Sequence, residues 1–203
     1  MRLALVHHRP GRREGYHHIE DLAETISRLT GWEVEGVEIG SPAHNSYDAA
    51  VILLLSRGGH YLEALESVRA EKVVGPIPPW LPALALTGVE GLKGSRRVAL
   101  VYWGAKRNRE EHDRGYAEIA SNASSLLNCK VDPVPHDTVK EDPRAFKDKY
   151  DSIVVLTLLP SRLPRLLSKY VGGEIVEAQL LPSSKGMLTA WIISVASTLT
   201  GST

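Results

Sequence analysis

The order of residue types in this chain repeats, and that repeat limits what the chain can fold into more than any single motif does. Arg2-Leu3-Ala4-Leu5-Val6, an apolar run ending in His7-His8-Arg9-Pro10-Gly11, is answered by Arg97-Val98-Ala99-Leu100-Val101-Tyr102 ahead of Gly104-Ala105-Lys106. Gly15-Tyr16 with Ile19 is answered by Gly115-Tyr116 with Ile119, each expected to start a helix that leads to a short strand, around Val34 or Val131. Tyr47-Asp48 precedes one apolar run, and Tyr150-Asp151 precedes another. Late in each half a proline-bearing apolar segment leads toward a helix, from Gly75 to Leu81 and from Leu180 to Leu188. Matches that recur in one order mark an internal duplication. The reading is a lobe of residues 1–90 and a second of 95–203, joined around Val89 to Arg96.

The apolar patterns say what each lobe is made of. Ala49 to Leu55 is almost uninterrupted, as a strand buried on both faces of a helix-covered parallel sheet requires. Tyr16, Ile19, Leu22, Ala23, Ile26 and Leu29 recur at intervals of three and four, one helical stripe that Gly31 ends. Strand and helix alternate, so the expected fold class is α/β, two similar doubly wound parallel-sheet lobes. Such sheets hold ligands beyond the carboxyl ends of their strands. That rule selects three loops: His7 to Glu14, Ser56 to His60, and Gly104 to Arg109.

Composition narrows the class. The 203 residues are 43% hydrophobic, enough for packed cores, so disorder is excluded as a default. Twenty-four basic residues balance twenty-four acidic ones, so no global field favours nucleic acid, and a charged ligand needs a local patch. A single cysteine, Cys129, forms neither an internal disulfide nor a zinc cluster. The first residues do not read as a signal peptide, and the expectation is a cytoplasmic protein, monomer or homodimer, with no membrane partner. Leu188 to Leu199 is interrupted by Thr189, Ser194, Ser197 and Thr198 and is expected to pack as a C-terminal helix.

His8 and His60 follow buried strands, where a side chain is held rigidly yet reaches a crevice. Neutral imidazole binds borderline divalent metals and accepts protons near pH 7. Two histidines suit an open site that holds a metal transiently. Leu5-Val6-His7-His8-Arg9 resembles the first-strand signature of the class II tetrapyrrole metal chelatases, and Leu55-Ser56-Arg57-Gly58-Gly59-His60 resembles that family's second signature, a buried strand running into Gly-Gly-His. Gly75-Pro76 through Trp80-Leu81 is similar to a further stretch of the family, and within it the likeness is to the two-lobe sirohydrochlorin cobaltochelatases. The likeness spans the first half in order and the second as a degraded copy. The family commonly has His-Gly-Ser-Arg at the first site where this chain has His8-Arg9-Pro10-Gly11, which leaves His7 as the alternative ligand. The usual acid and proline after Gly-Gly-His are missing, and Glu63 stands one residue closer than that acid. Trp103 and Leu163 stand near the two histidine positions of the second lobe, which is therefore expected to lack a metal site.

The resemblance implies insertion of a divalent metal, Co²⁺ first and Ni²⁺ or Fe²⁺ as alternatives, into sirohydrochlorin. His8 and His60 would present the metal and accept pyrrole protons, with Glu63 or Glu14 as auxiliary acceptor, and no nucleotide is needed. Because sirohydrochlorin is a polycarboxylate, cations should hold it by charge-assisted hydrogen bonds. Arg9, Arg12, Arg13, Arg57, Lys106, Arg107 and Arg109 lie in the selected loops, with Gly58 and Gly59 beside them. Trp103 and Trp80 are candidate walls for the ring. His17 and His18 read as exposed on the first helix, and His44, His112 and His136 read as surface residues. The competing reading is a noncatalytic metal- or tetrapyrrole-binding descendant of a chelatase; a periplasmic-type binder is disfavoured by the missing signal peptide and short lobes.

Overall fold

A computed structural model describes residues 1–10, 13–42, 45–172 and 174–201. The first half runs β1 (Arg2–His7), α1 (Arg13–Thr30), β2 (Glu33–Glu38), β3 (Ser46–Ile52), α2 (Gly59–Glu66), β4 (Arg69–Val74) and α3 (Trp80–Leu86). After a short 3₁₀ turn at Glu90–Leu92 the second half runs β5 (Arg97–Tyr102), α4 (Arg109–Leu127), β6 (Lys130–Pro135), α5 (His136–Glu141), α6 (Pro143–Lys149), β7 (Ser152–Thr157), α7 (Leu163–Val171), β8 (Val176–Gln179) and α8 (Lys185–Thr200). Each half builds one four-stranded sheet, in the orders β2-β1-β3-β4 and β6-β5-β7-β8, with all pairings parallel. The second half differs by the helices α5 and α6 between β6 and β7.

Side chains repeat along with the strands. Asp48 accepts from the Arg2 N–H at 2.7 Å, and Asp151 accepts from the Arg97 N–H at 2.8 Å. The Arg2 guanidinium lies 5.6 Å from the Tyr47 ring centroid, and that of Arg97 lies 5.1 Å from Tyr150. Tyr47 donates to Glu35 at 2.8 Å, while Arg97 donates to Asp132, the residue in the corresponding β6 position, at 2.9 Å.

The central strands are buried on both faces, as their composition requires. Leu3, Leu5, Ala49 and Val51 of the first sheet join Val98, Leu100, Val154 and Leu156 of the second in one core. The alternate residues Ala4, Val6, Ala50 and Ile52 pack with Ala64 of α2, and Ala99, Val101, Ile153 and Val155 pack with Leu163 and Leu167 of α7. The halves exchange their last helices: α3 packs against α4 and β8, while α8 packs against β3, β4 and α1. Leu188, Ile192 and Ala196, four apart on α8, are fully buried there. The shared core is what brings the carboxyl ends of the two sheets face to face.

Two expectations change, and two strands are added. Leu29 is 63% exposed, because the α1 stripe that packs is Ile19, Leu22, Ala23 and Ile26. Gly115 lies within α4, which starts at Arg109, and not at a helix start. The edge strands β4 and β8 carry no apolar run, since an edge keeps much of its surface in water. Among the described residues no helix is long and apolar enough to cross a membrane.

Candidate functional site

Central strands β1, β3, β5 and β7 all discharge into one cleft of about 770 Å³ between the sheets. Its walls come from His8 to Pro10, from Leu53 to Ser56, from Gly58 to Tyr61 with Glu63, from Tyr102 to Arg107 and from Val155 to Leu163. A volume of this size suits a sizeable organic ligand.

On the first-lobe side the His8 and His60 rings meet edge to face, centroids 4.3 Å apart and planes at 76°. His8 leaves the end of β1, and His60 sits in the first turn of α2. His8 is reachable from the cleft yet crowded by protein, and that crowding, with the neighbouring His60 imidazole, holds its pKa down to about 4. It therefore presents a neutral ring with a free lone pair near pH 7. The His60 Nδ1–H donates to Glu63 Oε2 at 2.8 Å, one helical turn away. A carboxylate only accepts, so Nδ1 carries the proton and Nε2 is the free donor of electrons. A carboxylate behind a histidine orients many metal-ligating imidazoles. Glu63 is thus engaged in orienting His60. Among the described residues no cluster of three or more histidines, cysteines or carboxylates is close enough to hold a metal ion. The site is a pair with one carboxylate behind it.

His7 points away from this pair. Its ring is buried, its Nδ1–H donates to the His8 carbonyl at 2.8 Å, and burial lowers its pKa. It faces a separate cavity of about 740 Å³ beside α1 and β2, lined also by Glu20, Glu24, Glu35 and Glu38. Neighbouring residues on a strand face opposite ways, so only one of the two histidines reaches the cleft.

The expected cations divide. Arg9, Lys106 and Arg107 line the cleft; Arg9 also lies 3.7 Å from Glu38. Arg57 is exposed, 5.7 Å from the Tyr61 ring, and lies outside the cleft lining, as does exposed Arg13 at the start of α1. Arg12 and His44 lie outside the described residues. Arg109 pairs with Asp113 at 3.4 Å. Arg162, which sequence reasoning passed over, joins the lining from the loop after β7. Its signal was positional: that loop is the counterpart of Ser56 to His60.

Gly58 and Gly59 line the cleft, but their reason for lacking side chains is the second lobe. A Cβ on Gly58 would stand 2.6 Å from His112 Nδ1, and one on Gly59 would stand 3.1 Å from the Arg107 Cβ. Gly115 is the reciprocal case, its Cβ position lying 2.9 Å from the Ser56 Cβ. The lobes touch through glycines at the cleft floor.

Two histidines read as surface residues are not. His112 lines the cleft beside the stacked Tyr102 and Tyr116 rings, meeting both edge to face at centroid distances of 5.5 and 5.2 Å. Its Nε2–H donates to the Trp103 carbonyl at 2.7 Å, and its Nδ1 accepts the Ser56 hydroxyl at 2.6 Å. The signal lay in spacing, because His112 is four residues before Tyr116 and shares its inward helix face. His136 is buried, its ring centroid 4.4 Å from that of Trp103, and burial lowers its pKa. Trp103 lines the cleft, whereas Trp80 and Glu14 lie outside the lining.

No protein-family model matches the chain, and no curated protein matches it. Solved structures resemble it over nearly its whole length. A sugar transporter from Clostridium phytofermentans is 8% identical with a TM-score of 0.45, covering 98% of this chain and 92% of the other. A LacI family transcriptional regulator from an Arthrobacter species, in complex with lactose, is 13% identical with a TM-score of 0.48, covering 98% and 90%. A probable transcription regulator from Thermus thermophilus is 12% identical with a TM-score of 0.43, covering 100% and 91%. These likenesses concern the arrangement of two α/β lobes.

Proposed function

We propose that the chain inserts a divalent metal, Co²⁺ first, into sirohydrochlorin or a closely similar carboxylate-rich tetrapyrrole. The observation that carries the reading is the pair of imidazoles at the end of β1 and in the first turn of α2, 4.3 Å apart in a cleft whose rim holds Arg9, Lys106, Arg107 and Arg162. Metal insertion needs an ion held loosely by neutral donors, a ring held by its periphery, and acceptors for two pyrrole protons. His8, kept neutral by its surroundings, and His60, turned by Glu63, supply the donors. Two protein ligands hold an ion weakly enough that four ring nitrogens can take it over. The four cations supply charge-assisted hydrogen bonds to ring carboxylates from both lobes. Leu158 and Leu159 with Trp103 give the ring apolar contact. Imidazole does not select among Co²⁺, Ni²⁺ and Fe²⁺, so the metal follows supply and geometry.

The same open pair favours a second reading, a protein that holds metal or tetrapyrrole without inserting one into the other. Anaerobic incubation of the purified chain with sirohydrochlorin and Co²⁺, followed by the change in ring absorbance, separates the two. Catalytic turnover is expected. Tight binding of both substrates without turnover overturns the enzyme reading in favour of the binding protein.

A further inference from the structure

We infer that His112, reached through the Ser56 hydroxyl, is a proton acceptor of the cleft, contributed by the lobe that lacks the metal-binding histidines. The inference rests on the insertion chemistry proposed above and names a residue that neither the repeat nor the resemblance assigns.

Insertion breaks two ring N–H bonds and forms metal–nitrogen bonds from the same lone pairs. An imidazole that still holds the metal has its own lone pair occupied, so His8 and His60 are poor acceptors at the moment the first proton must leave. A base with a free lone pair, inside the cleft but not on the metal, is required. His112 has one. The Trp103 carbonyl, 2.7 Å away, accepts only, so it holds the proton on Nε2 and leaves Nδ1 as the acceptor. That nitrogen is occupied by the Ser56 hydroxyl at 2.6 Å, and both residues line the cleft. This is the arrangement of a base, its orienter and a hydroxyl that can pass a proton on.

The step balances without any oxidant or reductant. The first pyrrole proton moves to Ser56 Oγ as the serine proton moves to His112 Nδ1. The resulting imidazolium keeps both N–H groups bonded, one to Trp103 and one to Ser56. The second proton is taken by His60 Nε2 after that nitrogen has released the metal, and both protons then leave to water. The groups around His112 are the stacked Tyr102 and Tyr116 rings, Asp113, which accepts from Tyr102 and pairs with Arg109, and Ser56 with Gly58 from the first lobe; Lys106 and Arg107 of the loop after β5 line the same cleft. His60 and Glu63 line the same cleft from α2.

The test is anaerobic insertion of Co²⁺ into sirohydrochlorin across roughly pH 5 to 9, with His112→Gln, Ser56→Ala and the exposed control His17→Gln, each checked by thermal melting. His112→Gln is expected to lower kcat by about a hundredfold or more at little cost in KM, to alter the acid limb of the profile, and to recover in part with added imidazole. Ser56→Ala is expected to lower kcat while the acid limb stays. Co²⁺ binding, read from its visible spectrum, should be unchanged in both. A His112→Gln protein with wild-type kcat and acid limb overturns the inference, and so does one that loses metal and tetrapyrrole binding with no rescue by imidazole. A wild-type chain that binds both substrates and never inserts metal removes the proposed function itself, and this inference with it.

Discussion

Ser56, at the exit of the first sheet, gives its hydroxyl proton to His112 on a helix of the second lobe, 2.6 Å away, so one hydrogen bond spans the floor of the cleft. The contact exists because Gly58 leaves room for the imidazole, whose Nδ1 would lie 2.6 Å from a Cβ there. Gly58→Ala should therefore push His112 off Ser56. Overpacking of this kind costs about 1–3 kcal/mol, measurable as a lower denaturation midpoint with an unchanged slope. Wild-type stability in Gly58→Ala would show that the lobes are free to separate at this point.

The His60 and Glu63 pair predicts a graded series. His60→Ala should remove insertion activity, while His17→Ala, altering an exposed side chain on α1, should leave it at the wild-type level. Glu63→Gln keeps the shape but weakens the acceptor behind His60, and Co²⁺ affinity should fall about 10- to 100-fold by equilibrium titration. Unchanged affinity in Glu63→Gln would place the metal elsewhere.

Acid should destabilise the fold through His8 and His7. Both titrate below the usual 6.5 in the folded chain, His8 at about 4, so between those values the unfolded state binds more protons than the folded one. Stability from these groups is complete above about pH 6.5 and is lost as pH falls through the folded pKa values. A His8→Asn variant should show a shallower decline of melting temperature between pH 6.5 and 4 than the wild type. Chemical-shift titration of the His8 ring gives the direct check, and a midpoint at 6.5 would contradict the crowding seen here.

Cations on the cleft should matter and those off it should not. Removing Lys106 or Arg162 should weaken binding of a polycarboxylate tetrapyrrole by about tenfold each, the usual worth of a charged hydrogen bond. Arg57→Ala and Arg13→Ala should change it little. Fluorescence titration at two salt concentrations distinguishes the sets, because only the first should also reduce the salt dependence.

The exchanged helices should make the two lobes one cooperative unit. Leu188 of α8 is fully buried in a core that includes both sheets, so Leu188→Ala should cost about 2–5 kcal/mol. Unfolding should remain a single transition seen alike by probes in either half. Two separated transitions would show that the lobes fold independently.

The duplicated strand and helix order was legible because buried parallel strands must be apolar on both faces, and 97–101 repeats 2–6 in that respect. His8 and His60 were legible as residues that end such strands or follow them closely. The choice between His7 and His8 was not, since the face a residue takes at the last position of a strand depends on where the strand stops. His112, on α4, and Arg162, in the loop after β7, were not singled out because both lie outside the three loops that strand order selected. The edge strands β4 and β8 were hidden by their polar, half-exposed residues.

What the sequence determined by itself is local: periodicity sets strand or helix, and the repeat sets the order of elements within each lobe. Tertiary structure decided how the lobes meet. The exchange of α3 and α8 and the close approach at Gly58, Gly59 and Gly115 depend on contacts between residues far apart in the chain, which no local pattern encodes. Through those contacts a histidine and an arginine from the second half come to stand in a cleft whose metal-binding candidates belong to the first.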